Sequence, residues 1–329
     1  MRRGLYIALA FFFIGCAKDH TLESPAESAL PAMYIPADNA LTTERFEFGK
    51  ALFFDERLSS DNEVSCASCH QPSLFFANNE ATTPGANQVP GTRNVPSLIN
   101  IGYSPYFTRE GGVPSLEMQV SVPVQEHNEF NSNMLEIAEE LNADPELKAM
   151  SMEAYGEEVT PYTITRGLAN YQRHLNSFNS PYDQALRGVI DLNASAERGQ
   201  ALFFSERTQC GSCHHGINLT SNQIVNNGLY ENYTDPGLQR LTNDPSDEGK
   251  FKVAGLRNVA FTAPYMHDGS LATLEEVINH YSSGGASHTN KDSRIQAFDL
   301  TEQEKQDLIS FLEALTDVGV LEDPVFREK

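Results

Sequence analysis

The sequence predicts a mainly α-helical protein built from two related modules in tandem, and three observations carry that expectation. Helical spacing and helix-start signals dominate: Thr160-Pro161 puts proline at a first helical position, and Ile164, Leu168, Tyr171 and Leu175 follow on one face. Two segments, Thr273-Leu-Glu-Glu276 and Thr301-Glu-Gln-Glu304, fit the capping box. There the Thr oxygen and the Glu carboxylate satisfy amide donors left free at a helix start. The second of them opens a terminal helix with Leu308, Ile309, Leu312 and Leu315 on one side. Finally, the chain repeats itself: Gly49-Lys-Ala-Leu-Phe-Phe-Asp-Glu-Arg57 returns as Gly199-Gln-Ala-Leu-Phe-Phe-Ser-Glu-Arg207.

The first element is a leader, residues 1–15. Met1-Arg-Arg-Gly is basic, and Leu5–Ile14 is apolar but too short to span a bilayer. Phe13-Ile14-Gly15-Cys16 is similar to a lipoprotein cleavage box, so Cys16 is expected to become a lipid-modified N-terminus. Ala17 rather than Asp follows, which favours the outer membrane, periplasmic side. The alternative is an ordinary signal peptide with an incidental Cys and a soluble periplasmic product. Residues 16–42, rich in Ala, Pro, Ser and Glu, read as a tether. The first module is expected over 43–190 and the second over 191–329.

Each module carries one C-x-x-C-H: Cys66-Ala-Ser-Cys69-His70 and Cys210-Gly-Ser-Cys213-His214. That pattern attaches a c-type haem, two thiols bonding to the vinyl groups and the His becoming the fifth iron ligand. A dithiol pair or a half zinc site competes, but neither needs the adjacent His. The chain has five Cys, four of them in these motifs, so none remain to complete a zinc tetrad. Two cytochrome c-like haem domains are therefore expected, each with an Ala-Leu-Phe-Phe run able to pack on a porphyrin. Long Gly/Asn/Pro/Ser stretches such as 77–96 and 220–250 suit that design, because the haem supplies core that the chain does not. A net charge of −22 argues against nucleic acid as a partner.

Of nine His, none lies between His70 and His127, so nothing local caps the first iron. An uncapped iron can bind and activate a small ligand, whereas a doubly ligated one is limited to electron transfer.

The two motifs, Pro264-Tyr-Met-His-Asp-Gly269 with the Leu-Ala-Thr-Leu-Glu-Glu run after Ser270, Arg93-Asn94-Val-Pro96 and Ser115-Leu-Glu-Met-Gln119 together resemble the bacterial di-haem cytochrome c peroxidase and MauG superfamily. The resemblance runs from about Phe46 to Leu315. It implies a peroxide site at the first haem and a second haem that holds or relays an oxidising equivalent. Gln119 and Glu129, ten residues apart, match its distal pair. A carboxylate there can take a proton from bound peroxide and deliver it to the departing oxygen, while the amide orients the substrate. The peroxidase branch carries a distal His near Gly85-Ala86; none is present, so an open first haem that needs no reductive activation is expected.

At the second haem the resemblance assigns the sixth ligand fourteen residues after His267, which is Tyr281, as in the MauG branch; Met266 is a decoy beside the motif. From spacing alone Tyr281 reads as a core aromatic beside Leu274, Val277 and Ile278. A thioether favours ferrous iron, whereas a phenolate favours more oxidised iron. Asn94, Thr262 and Pro264 match the family's calcium site, one Asn side chain and two backbone carbonyls. The chain contains no Trp: Arg109 stands at the family's inter-haem Trp and Thr208 at the surface Trp through which MauG reaches its protein substrate. Tyr106 and Phe107 remain candidates for the route between haems.

The expected function is reduction of hydrogen peroxide to water with electrons from a small periplasmic protein, a cytochrome c or cupredoxin. The alternatives are a MauG-like enzyme that spends peroxide on oxidising a protein or small molecule, and a non-catalytic di-haem electron carrier. Family members are often homodimers.

Overall fold

The computed structural model describes Leu30 and residues 32–328; the leader and the Cys16 lipidation site lie outside the described residues. Helices make up most of the regular structure. In chain order they are α1 (Thr43–Phe53), α2 (Cys66–Cys69), α3 (Leu116–Gln119), α4 (Ser121–Gln125), α5 (Met134–Asn142), α6 (Pro145–Tyr155), α7 (Pro161–Arg173) and α8 (Pro181–Leu186). Then come α9 (Ala194–Phe203), α10 (Cys210–Cys213), α11 (Gln239–Thr242), α12 (Leu274–Ser282), α13 (Glu302–Glu313) and α14 (Gly319–Glu322). The described sheet is one antiparallel pair, β1 (Ile224–Val225) with β2 (Phe251–Lys252), in the register Val225 opposite Phe251. No described helix is long and apolar enough to cross a membrane.

The start signals read from sequence form as hydrogen bonds. Thr160 caps α7 with Pro161 at its first position, Thr273 and Glu276 close a capping box on α12, and Thr301 and Glu304 do so on α13. α7 and α13 are shorter than their apolar patterns. Leu175 and Leu315 lie beyond the helix ends, yet each is about as buried as its helical neighbours.

Two crossings organise the packing, and the repeated segment builds both. α1 lies on α7 so closely that a Cβ at Gly49 would sit 1.9 Å from the Gly167 carbonyl oxygen. α9 lies on α13 the same way, a Cβ at Gly199 meeting the Asp307 carbonyl oxygen at 1.8 Å. Glycine at the head of each repeat is thus required by contact distance, since it removes the only atoms that would hold the helices apart. The aromatic runs that follow seal each crossing. Phe53 packs on Tyr171 at 4.8 Å between ring centroids, and Phe203 on Phe311 at 5.2 Å. These rings pack on their own partner helices, which the sequence reading had not anticipated.

One apolar cluster gathers Phe46, Leu52, Phe75, Phe76, Leu168 and Tyr171; another gathers Phe203, Leu219, Ile278, Leu308, Phe311 and Leu315. The chain end crosses back: Val320 and Phe326 join the first cluster, and Lys50 Nζ donates to the Val325 carbonyl at 2.7 Å. The division at residue 190 therefore does not separate the cores cleanly.

Candidate functional site: two thiol-imidazole turns and the groups above them

Each C-x-x-C-H forms a single helical turn that ends at its His. His70 N–H donates to the Cys66 carbonyl at 2.8 Å, and His214 N–H to that of Cys210 at 2.9 Å. Ser65 and Ser68 close a capping box on the first turn. Both sulfurs and the imidazole thus come from one turn, and the four motif Cys are not paired in disulfides. His70 Nδ1 lies 2.9 Å from the Phe76 carbonyl oxygen, and His214 Nδ1 3.2 Å from that of Leu219. Donation from Nδ1 leaves the lone pair on Nε2, the nitrogen needed by a metal. Burial pulls both imidazoles below their ordinary value, His214 to about 4, so both are neutral at pH 7. Burial pushes the Cys66 thiol up to about 12 and Cys69 to about 11. Two thiols and a neutral imidazole of fixed tautomer, presented on one turn, fit a covalently attached haem at each motif.

α3 and α4 carry the groups expected above the first motif. Ser115 caps α3, which ends at Gln119, and the buried Gln119 Oε1 has no hydrogen-bond partner among the described residues. After α4 the chain doubles back, Phe130 N–H donating to the Pro123 carbonyl at 3.1 Å, and this turn presents Glu129. Glu129 keeps exposed surface, yet protein encloses its carboxyl enough for burial to raise it above the ordinary value; Glu126 adds to the rise and Arg93 opposes it. Its charge in turn helps to raise the Cys66 and Cys69 thiols. The Gly85-Ala86 segment holds Glu129 from behind: Ala86 N–H donates to the Glu129 carbonyl at 2.7 Å, and a Cβ at Gly85 would meet that oxygen at 2.3 Å.

Tyr281 comes from the last turn of α12. Its phenol is raised by burial first, then by Cys210, Cys213 and Tyr233, with the Asn227 side chain opposing. The same Asn227 side chain donates through Nδ2 to the Met266 sulfur at 3.3 Å. His267 is wall, stacked on Phe251 at 4.1 Å, and its carbonyl accepts from Asn94 N–H at 2.9 Å. Thr208 is buried, its hydroxyl donating to the Leu202 carbonyl at 2.6 Å.

Two arginines join these regions, and neither role is visible in sequence. Arg93 grips Asp235 through Nε at 2.6 Å and Nη2 at 2.8 Å, meets buried Glu110 at 2.7 Å, and lies over the Phe251 ring. Its charge is the one that favours ionised Glu129. Arg109 Nη2 donates to the Asn94 backbone carbonyl at 2.6 Å and reaches Asn94 Oδ1 at 3.4 Å. Burial pulls Arg109 down only to about 10, so it is a cation at neutral pH. Of the set expected to hold calcium, Asn94, Thr262 and Pro264, Asn94 therefore has a guanidinium on its backbone carbonyl and, more distantly, beside its side-chain oxygen.

Comparison with known proteins follows this geometry. A family described as di-haem cytochrome c peroxidase matches residues 43–191. The methylamine utilization protein MauG of Methylorubrum extorquens is 36% identical, over 85% of this chain and 80% of that protein. Cytochrome-c peroxidase IdrP1 of Denitromonas iodatirespirans is 32% identical, over 91% and 89%. The crystal structure of a MauG-like protein associated with microbial copper homeostasis superposes with a TM-score of 0.89 at 33% identity, covering 93% of this chain and 98% of that one.

Proposed function

The chain belongs to the di-haem cytochrome c peroxidase family and is thus a c-type haem oxidoreductase, and from that premise we propose a peroxide-reducing enzyme whose two haem sites do different work. The tandem of cytochrome c-like modules, 43–190 and 191–329, belongs to this proposal. Haem bound at each motif supplies iron that exchanges electrons and, at the first, accepts peroxide as a ligand. His70 holds the first iron through Nε2, with its ring fixed by the Phe76 carbonyl.

Gln119 offers its unpartnered Oε1 to the peroxide hydroxyl and so orients it. Glu129, when ionised, would accept a proton from one peroxide oxygen and return it to the other, so that the departing oxygen leaves as water. Arg93 favours the ionised form of Glu129, while burial and Glu126 oppose it. Tyr281 and His214 would hold the second haem, where a phenolate ligand would favour oxidised iron.

The observation that carries the reading is the first C-x-x-C-H turn, in which the Phe76 carbonyl holds His70 Nδ1 and leaves Nε2 as the ligating nitrogen. Electrons come from a small periplasmic redox protein, a cytochrome c or cupredoxin. Steady-state oxidation of such a reduced donor by peroxide tests this: fast turnover supports it and negligible turnover overturns it. Tyr281 favours a second reading, MauG-like oxidation of a protein or small molecule. Buried Thr208 weighs against an exit to a protein substrate at that point. Lipid attachment at Cys16, residence on the periplasmic side of the outer membrane and a homodimer complete the proposal. Unchanged precursor processing under globomycin would refute the anchor.

A further inference from the structure

We propose that Arg109 is a built-in cation that ties together the ground between the two haem sites, in place of the calcium ion that the family resemblance implies. Its guanidinium donates to the Asn94 carbonyl at 2.6 Å and lies 3.4 Å from Asn94 Oδ1. Its own carbonyl accepts from Lys252 N–H at 2.7 Å, which fixes it to β2. Asn94 N–H is bound in turn to the His267 carbonyl, and Asn94 Nδ2 to that of Glu80 at 3.1 Å. Arg109 and Asn94 together therefore link the segment after the first motif to the β2 strand and the Pro264–Gly269 loop.

That linkage is what a calcium ion would provide by drawing backbone and amide oxygens together. A guanidinium does it with directed N–H donors and a permanent charge. The charge balance agrees. Lys252 is hydrogen-bonded to the Arg109 backbone, and Arg93 is ion-paired with Glu110, the residue after Arg109. A divalent ion at Asn94 Oδ1 would add two charges beside a cation that does not deprotonate at neutral pH.

The test uses the holoprotein with both haems attached. Metal analysis after exchange into calcium-free buffer should find far less than about one calcium per chain. The resting electron paramagnetic resonance (EPR) spectrum and peroxide turnover should be unchanged by EGTA. Stoichiometric calcium, or loss of the resting signals on chelation, overturns the proposal. Arg109→Gln should shift the resting spectrum and lower turnover by about tenfold or more, whereas Arg109→Lys, which keeps the charge, should stay within about threefold of wild type. A wild-type spectrum in Arg109→Gln, or equal damage in both variants, also overturns it. If Arg109→Gln fails to fold, the wild-type calcium analysis still decides.

Discussion

Glu129→Gln removes a proton-transfer group and little else. The amide is nearly isosteric, and the hydrogen bond that anchors this turn uses the Glu129 backbone carbonyl, which the variant keeps. Gln119 cannot take over, because an amide does not carry a proton at neutral pH. The other carboxylate whose charge reaches the motif is Glu80, which acts on Cys69 alone and not on Cys66. A positioned acid-base group contributes about 10²–10⁴-fold, or roughly 2.7–5.5 kcal/mol of barrier. The assay is kcat/KM for peroxide at pH 7, normalised to covalently bound haem. Wild-type rate should fall as pH drops through the Glu129 pKa, because the base must be ionised. Burial raises that pKa, so the acid limb lies above the ordinary carboxylate value. In Glu129→Gln the limb should vanish, whereas Glu80→Gln should keep it. A Glu129→Gln enzyme within about threefold of wild type, with both haems attached, would refute the reasoning.

Three further outcomes follow from the same contacts. Arg93→Gln removes the charge that lowers the Glu129 carboxyl, so the acid limb should move to higher pH; an unmoved limb would separate Arg93 from the site. Tyr281→Phe should alter the optical bands of the second haem and leave the first unchanged; unaltered bands would exclude Tyr281 as a ligand. Gly199→Ala puts a Cβ 1.8 Å from the Asp307 carbonyl oxygen, so α9 and α13 must part. Overpacking of this kind costs about 1–3 kcal/mol, a fall of several degrees in apparent Tm, and a wild-type melt would contradict the crossing.

What was legible in the sequence was local. The two C-x-x-C-H turns and the caps at Thr160, Thr273 and Thr301 are set within a few residues, so spacing alone announces them. The repeated segment was legible as a repeat but misread in emphasis. Its glycines are dictated by a facing carbonyl far along the chain, which no local pattern encodes. Arg93 was quoted within a motif, yet its partner Asp235 lies 142 residues away. Arg109 was read as a missing Trp, and its meaning came only with Asn94 in place beside it. The return of Val320 and Phe326 to the first cluster was hidden for the same reason, since a short apolar tail does not name what it packs on.

The central claim is that two similar turns hold unequal irons, one open beneath Glu129 and one capped by Tyr281. Low-temperature EPR of the resting ferric holoprotein tests it most directly. The account predicts one high-spin signal and one low-spin signal, with Tyr281→Phe changing the low-spin signal alone. Two low-spin signals at rest, the mark of a simple electron carrier, would contradict it.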